Sequence, residues 1–389
     1  MKVAILGTRG VPPAYGGFET FAAELGTRLV QRGHAVTVYC RAQGVERWNG
    51  IRRIVLPAVG HKYLETVSHS FLSALDALRR DFDAVLVCNA ANAFVLPLLR
   101  AVRIPVAINV DGIERRRRKW NVLGRAVYAC GEAFSAAFAN AVVADADVIA
   151  NYYRTAYGLD PVTIPYGAEF PVEEDSDVLE RLGLHRRGYI LYVSRFEPEN
   201  NPLEVVLAYE TLVTRSRGYE VTRPAHLATS QPRNPVTNVP PLVMLGAGLY
   251  APDLVRELHR HASDTILFPG ALYDADYRTL QRNALVYLQA TEVGGTHPAL
   301  IEGMASGGCV LAHDTPENRE VGGDAIGYFQ LRPAETLSAE LARLLADTSG
   351  IDSLRQAGRL RARERFSWGR VVDSYEALLE ALAGQRPRP

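Results

Sequence analysis

The sequence predicts an α/β protein made of two doubly wound, parallel-sheet domains. Short apolar segments such as KVAILG, AVTVYC and YILYVS alternate with longer amphipathic segments along almost the whole chain. Because these short segments are apolar throughout, they indicate strands that helices cover on both faces of the sheet. A chain of 389 residues is too long for one ordinary core, and its apolar content of 48% is that of a globular protein.

The first domain is predicted over residues 1–170, where strand-like segments alternate with amphipathic helices. The strands are predicted at KVAILG, AVTVYC, IRRIVLP, DAVLVCN, PVAINV and AVVAD. The helices are predicted over residues 18–32, 64–80, 92–102 and 121–140. This alternation is typical of βαβ units that share one parallel sheet.

The second domain is predicted over residues 188–366, because the strand-like pattern restarts at YILYVS and continues through PLVMLG, TILFPG, LVYLQA and GCVLAHD. The acidic, proline-containing residues 171–187 predict a linker. Residues 367–389 predict a C-terminal helix and tail, which either caps a sheet or crosses back to the first domain. The polar residues 215–240 predict a disordered insertion first and a functional loop second.

Cysteine usage and hydropathy favour a cytoplasmic protein. The four cysteines lie mostly beside apolar segments, without the spacing of zinc sites or disulfide frameworks, which indicates a reducing compartment. No apolar stretch reaches the roughly 18 residues needed to span a bilayer, so we expect any membrane contact to be made from the surface.

Charge is distributed unevenly along the chain. Residues 1–170 carry 20 Lys and Arg against 14 Asp and Glu, whereas the remainder carries 23 against 29. The basic excess is concentrated at Arg115–Lys119, which Trp120 follows. Such a run predicts either a solvated face or a contact with phosphate groups or an anionic membrane surface. The neutral total charge and the lack of a base-reading motif argue against nucleic acid as a partner.

A glycine-rich loop, GTRGVPPAYGGFETF, lies between the first strand and the first helix. It is not a dinucleotide fingerprint, because its glycine spacing differs, Pro12-Pro13 blocks early helix entry, and the second strand ends in Cys40-Arg41. It contains no Walker sequence either. Gly16 and Gly17 either leave backbone N–H groups open to an anion such as a diphosphate or form an ordinary turn.

A second glycine loop, in TEVGGTHPALIEGMA, favours the anion-binding interpretation. Gly294 and Gly295 follow a strand, and Pro298 suits the first turn of the next helix, with Glu302 about one turn further on. Open α/β sheets bind ligands beyond the carboxyl ends of their strands. The two loops are therefore predicted to face each other across a ligand-binding cleft.

In their order along the chain, five motifs resemble a known family. TRGVPPAYGGFETF, NVDGIERRRRKW, IPYGAE, SRFEPENN and EVGGTHPALIEGMA are similar to the retaining glycosyltransferases of family 4, and within that family to the rhamnosyltransferase-like branch. The resemblance covers nearly the whole chain. It implies the GT-B fold, in which two Rossmann-like domains face each other across a cleft, and a UDP-, dTDP- or GDP-sugar as the donor.

The resemblance also implies roles for individual residues. Gly16 and Gly17 would lie near the donor diphosphate, and Arg195 would bind it, because a planar guanidinium bonds two phosphate oxygens at once. Glu302 would accept hydrogen bonds from the nucleotide ribose. The loop beside the donor sugar would consist of Gly294, Gly295, Thr296 and His297.

Three positions depart from the family pattern. Asn200 replaces the lysine that usually stands five residues after Arg195. Gly294 replaces the first of two glutamates, so Glu292 or the backbone of the loop would recognise the sugar. Asp111 in NVDG stands where the family has a common histidine. The predicted catalytic residues are Arg195, Glu302, Asp111 and Glu292.

Metal and cofactor requirements are expected to be absent. Three Asp-x-Asp sequences begin at Asp81, Asp145 and Asp274 and suggest, taken alone, a metal-dependent enzyme. The first precedes its strand, at the end away from ligands, and the other two stand where carboxylates ordinarily cap helices. We therefore expect metal-independent chemistry in which the donor sugar nucleotide is a substrate.

The predicted function is transfer of a hexosyl group of rhamnose or glucose type, with retained configuration. The expected acceptor is a glycan or a polyprenyl-diphosphate-linked glycan in bacterial polysaccharide assembly for the cell envelope. The basic run is expected to contact the acceptor diphosphate or the anionic inner face of the plasma membrane. The alternatives are a nucleotide-sugar epimerase on the same fold and a catalytically silent nucleotide-sugar-binding protein.

Overall fold

The computed structural model describes residues 1–13, 16–60, 65–118, 120–170, 176–220, 239–248, 251–333 and 335–385. Contacts divide the chain into two compact units. Unit 1 contains Met1–Gly167, Gly294–Pro298 and Phe366–Pro389, and unit 2 contains Ala168–Val293 and Ala299–Arg365. Most of the predicted insertion at 215–240 lies outside the described residues.

Unit 1 is built on an eight-stranded sheet. Its strands are β1 (Lys2–Leu6), β2 (Ala35–Cys40), β3 (Arg47–Trp48), β4 (Ile51–Val55), β5 (Ala84–Cys88), β6 (Val106–Asn109), β7 (Ala141–Ala144) and β8 (Val162–Thr163). Their order is β3-β4-β2-β1-β5-β6-β7-β8, and only the β3–β4 pair is antiparallel. Every residue of β5 is buried, as its continuous apolar sequence predicts.

Helices connect the strands of unit 1. They are α1 (Gly17–Gln31), α2 (Glu65–Ala77), α3 (Leu96–Ala101), α4 (Val122–Phe138) and α5 (Asp147–Tyr157), with 3₁₀ turns at Ala90–Val95 and Glu114–Arg116. Helix α1 buries Phe21, Leu25 and Leu29, which recur at helical spacing and form one apolar face.

Unit 2 is built on a six-stranded, wholly parallel sheet. Its strands are β9 (Ile190–Val193), β10 (Leu242–Leu245), β11 (Ile266–Gly270), β12 (Val286–Gln289), β13 (Cys309–His313) and β14 (Gly327–Phe329). Their order is β11-β10-β9-β12-β13-β14. The chain leaves β9 toward one edge and returns at β12 toward the other, so the switch point where such sheets bind ligands lies between β9 and β12.

Eight of the described helices lie between Gly167 and Phe366. They are α6 (Val178–Arg181), α7 (Pro202–Glu220), α8 (Pro252–Arg260), α9 (Asp274–Asn283), α10 (Pro298–Ala305), α11 (Pro316–Gly322), α12 (Glu335–Ala346) and α13 (Thr348–Arg365), with 3₁₀ turns at Pro198–Asn200 and Gly323–Ala325.

The last helix, α14 (Trp368–Ala383), belongs to unit 1. Tyr375 on α14 accepts a hydrogen bond from Asn109 at the end of β6, with the amide nitrogen 2.8 Å from the phenol oxygen. Arg32 forms ion pairs with Asp373 and Glu376 at 2.6 and 2.5 Å. Of the two predicted positions for this helix, the crossing back to the first domain is confirmed, as are the two parallel-sheet Rossmann-like domains. Among the described residues, no helix is both long and apolar enough to span a bilayer.

Candidate functional site

Arg195 and Asn200 follow β9, on the switch-point side of the unit 2 sheet. The Arg195 side chain is exposed. Asn200 is buried, and its amide nitrogen donates to the Arg195 carbonyl at 2.6 Å, while its own carbonyl accepts from the Tyr192 hydroxyl at 2.7 Å. The structure therefore gives Asn200 a supporting position, in which its side chain fixes the backbone that carries Arg195.

The segment after β12 is bonded to the segment after β9. The Glu292 N–H donates to the carbonyl of Glu199 at 2.9 Å, and the Asn201 amide donates to the carbonyl of Ala290 at 2.8 Å. Glu292 is half-buried. Two of the predicted catalytic residues, Arg195 and Glu292, thus lie on neighbouring segments at the carboxyl ends of adjacent strands.

Glu302 is the fifth residue of α10 and is half-buried. The Tyr277 hydroxyl donates to its Oε2 at 2.6 Å. Burial and the Glu302 charge together raise the pKa of Tyr277, and they act in the same direction on the pKa of Tyr287. Because the Tyr277 phenol stays protonated, it remains a hydrogen-bond donor that holds the Glu302 carboxylate in one orientation.

The first glycine loop leads into α1 in unit 1. Gly16 caps the helix with its carbonyl, which accepts from Glu19 N and Thr20 N at 3.2 and 3.3 Å, and Gly17 is exposed. The Gly16 backbone is extended, with a φ of −169°, a conformation that any residue adopts. The absence of a side chain at Gly16 therefore relieves no backbone strain, and it leaves the start of the helix open. Gly7 differs: with a φ of +88°, any Cβ there would lie 2.3 Å from the Cys88 carbonyl oxygen.

The second glycine loop, Gly294–Pro298, groups with unit 1 and is fastened to Asp145. The Thr296 N–H donates to Asp145 Oδ2 at 2.6 Å, and the Thr296 hydroxyl donates to the Asp145 carbonyl. A Cβ on Gly295 would lie 1.9 Å from Asp145 Oδ1, so only glycine fits there. The predicted anion donor at Thr296 is thus bonded to a carboxyl group in this structure, and half-buried His297 lies beside Gly294.

Asp111 and Asp145 form a pair of carboxyl groups at the carboxyl ends of β6 and β7. Asp145 is fully buried, and Asp111 is half-buried. Burial and the Asp111 charge raise the pKa of Asp145 well above its usual range. The pair therefore favours one proton, which belongs on the buried Asp145 because a charge there would be the more poorly solvated of the two.

A protonated Asp145 explains both of its contacts. One oxygen accepts from the Thr296 N–H, and the hydroxyl of the protonated group is a donor suited to the neighbouring Asp111 carboxylate. Asp111 is held further by its own N–H, which donates to Asn109 Oδ1 at 2.9 Å, and by the Tyr166 hydroxyl at 3.5 Å. Asp111 is therefore a fixed, half-exposed carboxylate next to the Gly294–His297 loop.

The position of Asp145 corrects the sequence analysis, which treats it as a helix cap. Helix α5 begins at Asp147 with Ala146 as the N-cap, and Asp145 makes no capping bond. Its partner Thr296 lies 151 residues further along the chain, so the pairing leaves no local pattern. In the third Asp-x-Asp sequence, Asp274 and Asp276 lie in the first turn of α9, and Tyr273 is the N-cap.

The basic run Arg115–Lys119 is not exposed to solvent at every position, as a fully solvated face would require. Arg117 is buried and pairs with Glu114 at 2.5 Å, and Arg115 pairs with Glu132 at 3.2 Å. Arg116 is exposed, and its guanidinium lies 5.6 Å from the centroid of the Tyr152 ring. Lys119 lies outside the described residues. A uniformly solvated face is therefore wrong for this segment.

One group of described side chains has metal-ligand geometry, namely His34, Glu376 and Glu380 in unit 1. Glu376 already accepts from Arg32 at 2.5 Å and contacts the His34 ring at 2.6 Å. Arg32, His34 and Glu376 thus form an ion-pair cluster that fastens α14, and this cluster lies apart from Asp111 and Asp145 in sequence and in its bonding.

Comparisons with known proteins identify related domains and folds. Residues 15–169 match the family model described as Glycosyltransferase Family 4, and residues 179–364 match the model described as Glycosyl transferases group 1. No curated protein sequence matches at a significant level.

Solved structures resemble the chain over almost its full length at low identity. Sucrose-phosphate synthase from Thermosynechococcus elongatus is 19% identical, with a TM-score of 0.77 and 98% of each chain covered. HepE from Anabaena in complex with UDP-glucose is 15% identical, with a TM-score of 0.76, and covers 98% of this chain and 100% of its own. A UDP-forming trehalose-phosphate synthase from Burkholderia xenovorans is 12% identical, with a TM-score of 0.74 and the same coverage.

Proposed function

The chain is a GT-B-fold member of the glycosyltransferases, with a Family 4 domain followed by a group 1 domain, and we propose that it transfers a hexosyl group from a nucleoside diphosphate sugar to a glycan or lipid-linked acceptor. The proposal includes retention of configuration, a sugar of rhamnose or glucose type, and a role in bacterial polysaccharide assembly. Its setting is the cytoplasm, with a peripheral contact at the anionic inner face of the plasma membrane.

The observation that carries the proposal is that Arg195 follows β9 and that Glu302 lies on α10, the helix after β12, on the two sides of the switch point of unit 2. Arg195 is an exposed guanidinium on a backbone that Asn200 fixes, and Glu302 is a carboxylate that Tyr277 orients. A fixed guanidinium stabilises the charge that develops on a diphosphate leaving group. An oriented carboxylate suits the two hydroxyls of a nucleotide ribose. The solved relatives named with UDP or UDP-glucose support a nucleotide-sugar donor.

In unit 1, we assign the Asp111 carboxylate to stabilisation of the positive charge that develops on the transferred sugar. Transfer of a hexosyl group passes through an oxocarbenium-like transition state, which a nearby fixed negative charge stabilises. Asp111 is such a charge, because Asp145, Asn109 and Tyr166 hold it by hydrogen bonds. Glu292 and the Gly294–His297 loop stay proposals for recognition of the sugar hydroxyls. The chemistry proposed for these residues uses no metal and no cofactor.

Replacement of Arg195 tests the proposal. We expect Arg195→Ala to lower the rate of transfer by on the order of a hundredfold, because one preorganised donor to the leaving group is lost. Arg195→Lys keeps the positive charge and loses the bidentate contact with the phosphate oxygens. Its transfer rate should therefore lie between those of the wild-type protein and Arg195→Ala. UDP-, dTDP- and GDP-sugars serve as donors, and NMR of the product tests whether the anomeric configuration is retained.

The matched control is Arg260→Ala, which removes an exposed arginine of α8 in the same unit. It should leave the rate unchanged. Equal rates for wild-type protein and Arg195→Ala would contradict the assignment. Conversion of the donor to an epimer without an acceptor would identify an epimerase, and binding without any turnover would identify a silent binding protein.

A further inference from the structure

Helix α4 of unit 1 buries its small and polar residues and exposes its bulky apolar residues. The residues it buries are small or polar, namely Gly124, Gly131, Glu132 and Ser135. Glu132 accepts from the Tyr152 hydroxyl at 2.6 Å and pairs with Arg115, and a Cβ on Gly131 would lie 2.3 Å from the Ala90 carbonyl oxygen. The inward face is therefore packed closely and bonded, so the helix cannot be rotated without loss of these contacts.

The outward face of α4 is apolar. Leu123, Val127, Phe134 and Phe138 are 69%, 47%, 38% and 37% exposed and follow helical spacing. Cys130 and several alanines lie on the same face, and among the exposed residues of α4 only Arg125 is charged. Helix α14 in the same unit is arranged in the ordinary way, with Val371, Tyr375 and Leu379 buried. The exposed face of α4 is thus a specific feature of that helix.

A second apolar stripe lies on α2. Val67, Phe71 and Leu75 are 37%, 43% and 36% exposed at intervals of four residues. Both α2 and α4 pack against the 3₁₀ turn Ala90–Val95 and against α3. The two stripes therefore flank one segment on the same side of the unit 1 sheet.

Cations border the α4 face at both ends. At the amino end, Arg116 lies on the turn that packs against α4, and Arg125 is exposed on its second turn. Near the carboxyl end, Arg100 and Arg103 line a small cavity together with Asn140, two residues after α4. All four are exposed, and within the described part of the chain none of them pairs with a carboxylate.

We propose that the apolar face of α4, with its border of arginines, docks on an anionic lipid bilayer. An amphipathic helix with bulky apolar residues on one face and cations at its border lies in the interface plane, with the apolar side among the acyl chains and the cations at anionic headgroups. The inference rests on the proposed function only in that a lipid-linked acceptor is held in a membrane.

The charges favour a bilayer over a second copy of the chain. A twofold axis pairs two α4 faces either antiparallel or parallel, and both arrangements place an arginine-bearing end of one helix beside an arginine-bearing end of the other. Like charges would then meet at both ends of the contact. An anionic lipid surface offers opposite charge to every one of these side chains.

Cys130 allows docking to be measured directly. It is the exposed cysteine on the α4 face, whereas Cys40, Cys88 and Cys309 are buried, so a polarity-sensitive fluorophore reacts selectively with it. The full chain, labelled at Cys130, is titrated with vesicles of phosphatidylcholine that contain phosphatidylglycerol and with vesicles of phosphatidylcholine alone. We expect a blue shift and flotation with the anionic vesicles, which weaken as salt is raised.

Paired variants distinguish docking through the α4 face from nonspecific adsorption to vesicles. Leu123→Glu places a charge on the α4 face, and Leu360→Glu places the same charge at an exposed leucine of α13 in unit 2. We expect Leu123→Glu and Arg125→Glu each to weaken vesicle binding about tenfold or more, and Leu360→Glu to leave it unchanged. Both leucines are already exposed, so neither substitution should prevent folding, and thermal unfolding checks this.

Two outcomes overturn the proposal. One is equal binding by the Leu123→Glu and Leu360→Glu proteins, or no binding by the wild-type protein. The other is a dimer in solution that Leu123→Glu dissociates, which would assign the face to a second copy. No donor or acceptor is present in these measurements, so a failure here leaves the proposed transfer reaction to be judged by the Arg195 variants.

Discussion

Asp145 shows how one buried side chain governs the chemistry of a neighbour. Its proton allows it to donate to Asp111 and to accept from Thr296 at the same time. Burial and the two carboxyl groups raise the pKa values of Tyr166 and Tyr375, and burial with the Glu19 and Asp111 charges raises the pKa of Cys88. These three groups therefore stay neutral, and the negative charge of the carboxyl pair lies on half-exposed Asp111.

Substitution of Asp145 tests this protonation state. Asparagine is a neutral isostere whose amide donates to Asp111 and whose carbonyl accepts from Thr296, so we expect Asp145→Asn to retain most of the transfer activity. Asp145→Ala should be less stable by about 1–3 kcal/mol, because it leaves the Thr296 N–H buried without an acceptor. Calorimetric unfolding and transfer rates of both variants provide the measurement.

The pH dependence of unfolding gives a second readout for the same pair of variants. The folded protein holds a proton on Asp145 that the unfolded chain releases above about pH 4, so wild-type stability falls as pH rises from there toward the raised pKa, by about 1.4 kcal/mol per pH unit. Asp145→Asn lacks this loss, and its advantage over wild type should grow with pH. An asparagine variant as impaired as the alanine variant would indicate a charged Asp145.

At the scale of the element, α14 is held by apolar burial on one side and by an ion-pair cluster at its edge. Trp368, Val371 and Tyr375 are buried, and Phe21 packs against the Tyr375 ring at 5.1 Å between centroids. At the edge, hydrogen bonds from His34 and Arg32 lower the pKa of Glu376 below its usual value. A helix distant in sequence is thereby fastened to the amino end of the chain.

Glu376→Gln should weaken the attachment of α14. A carboxylate with a lowered pKa contributes stability above its unfolded pKa and loses it as pH falls through the folded value. We expect the variant to be less stable by on the order of 1 kcal/mol near neutral pH, as for partly exposed pairs, with the difference from wild type closing below about pH 4. Glu380→Gln, one turn along the exposed side of α14, is the matched control. A difference that persists in acid would exclude the carboxylate as its source.

At the scale of the whole molecule, the sequence predicts the interior strands and misses the shortest edge strands. KVAIL and AVLVC are recognisable because buried parallel strands are apolar at every position. The edge strands Arg47–Trp48 and Val162–Thr163 have two residues each, and a pair of residues carries no periodicity. They are defined by their neighbours in the sheet, which local patterns do not record.

The candidate site divides in the same way. The positions of Arg195, Glu302 and the glycine loops near the ends of strands could be predicted because apolar strands precede them, whereas their roles toward a diphosphate or a ribose stay predictions. The bond from Thr296 to Asp145 was not, since it joins residues far apart in the chain. The same reason accounts for Arg115, whose partner Glu132 lies on another element and turns a cation of the basic run inward.

Arg195 and Glu302 should each bind a different part of the donor, and thermal unfolding with nucleoside and nucleoside diphosphate ligands can distinguish the two contributions. A ligand at a hundred times its dissociation constant stabilises a protein by about 2.7 kcal/mol, so a screen of UDP-, dTDP- and GDP-sugars by thermal shift identifies the base first. Arg195 is assigned to the diphosphate and Glu302 to the ribose. Arg195→Ala should therefore abolish the extra stabilisation that a nucleoside diphosphate gives over its nucleoside, whereas Glu302→Gln should reduce stabilisation by both ligands equally. If both variants lower the two shifts alike, neither residue discriminates the parts of the donor, and the assignment of the switch point between β9 and β12 to the nucleotide has to be withdrawn.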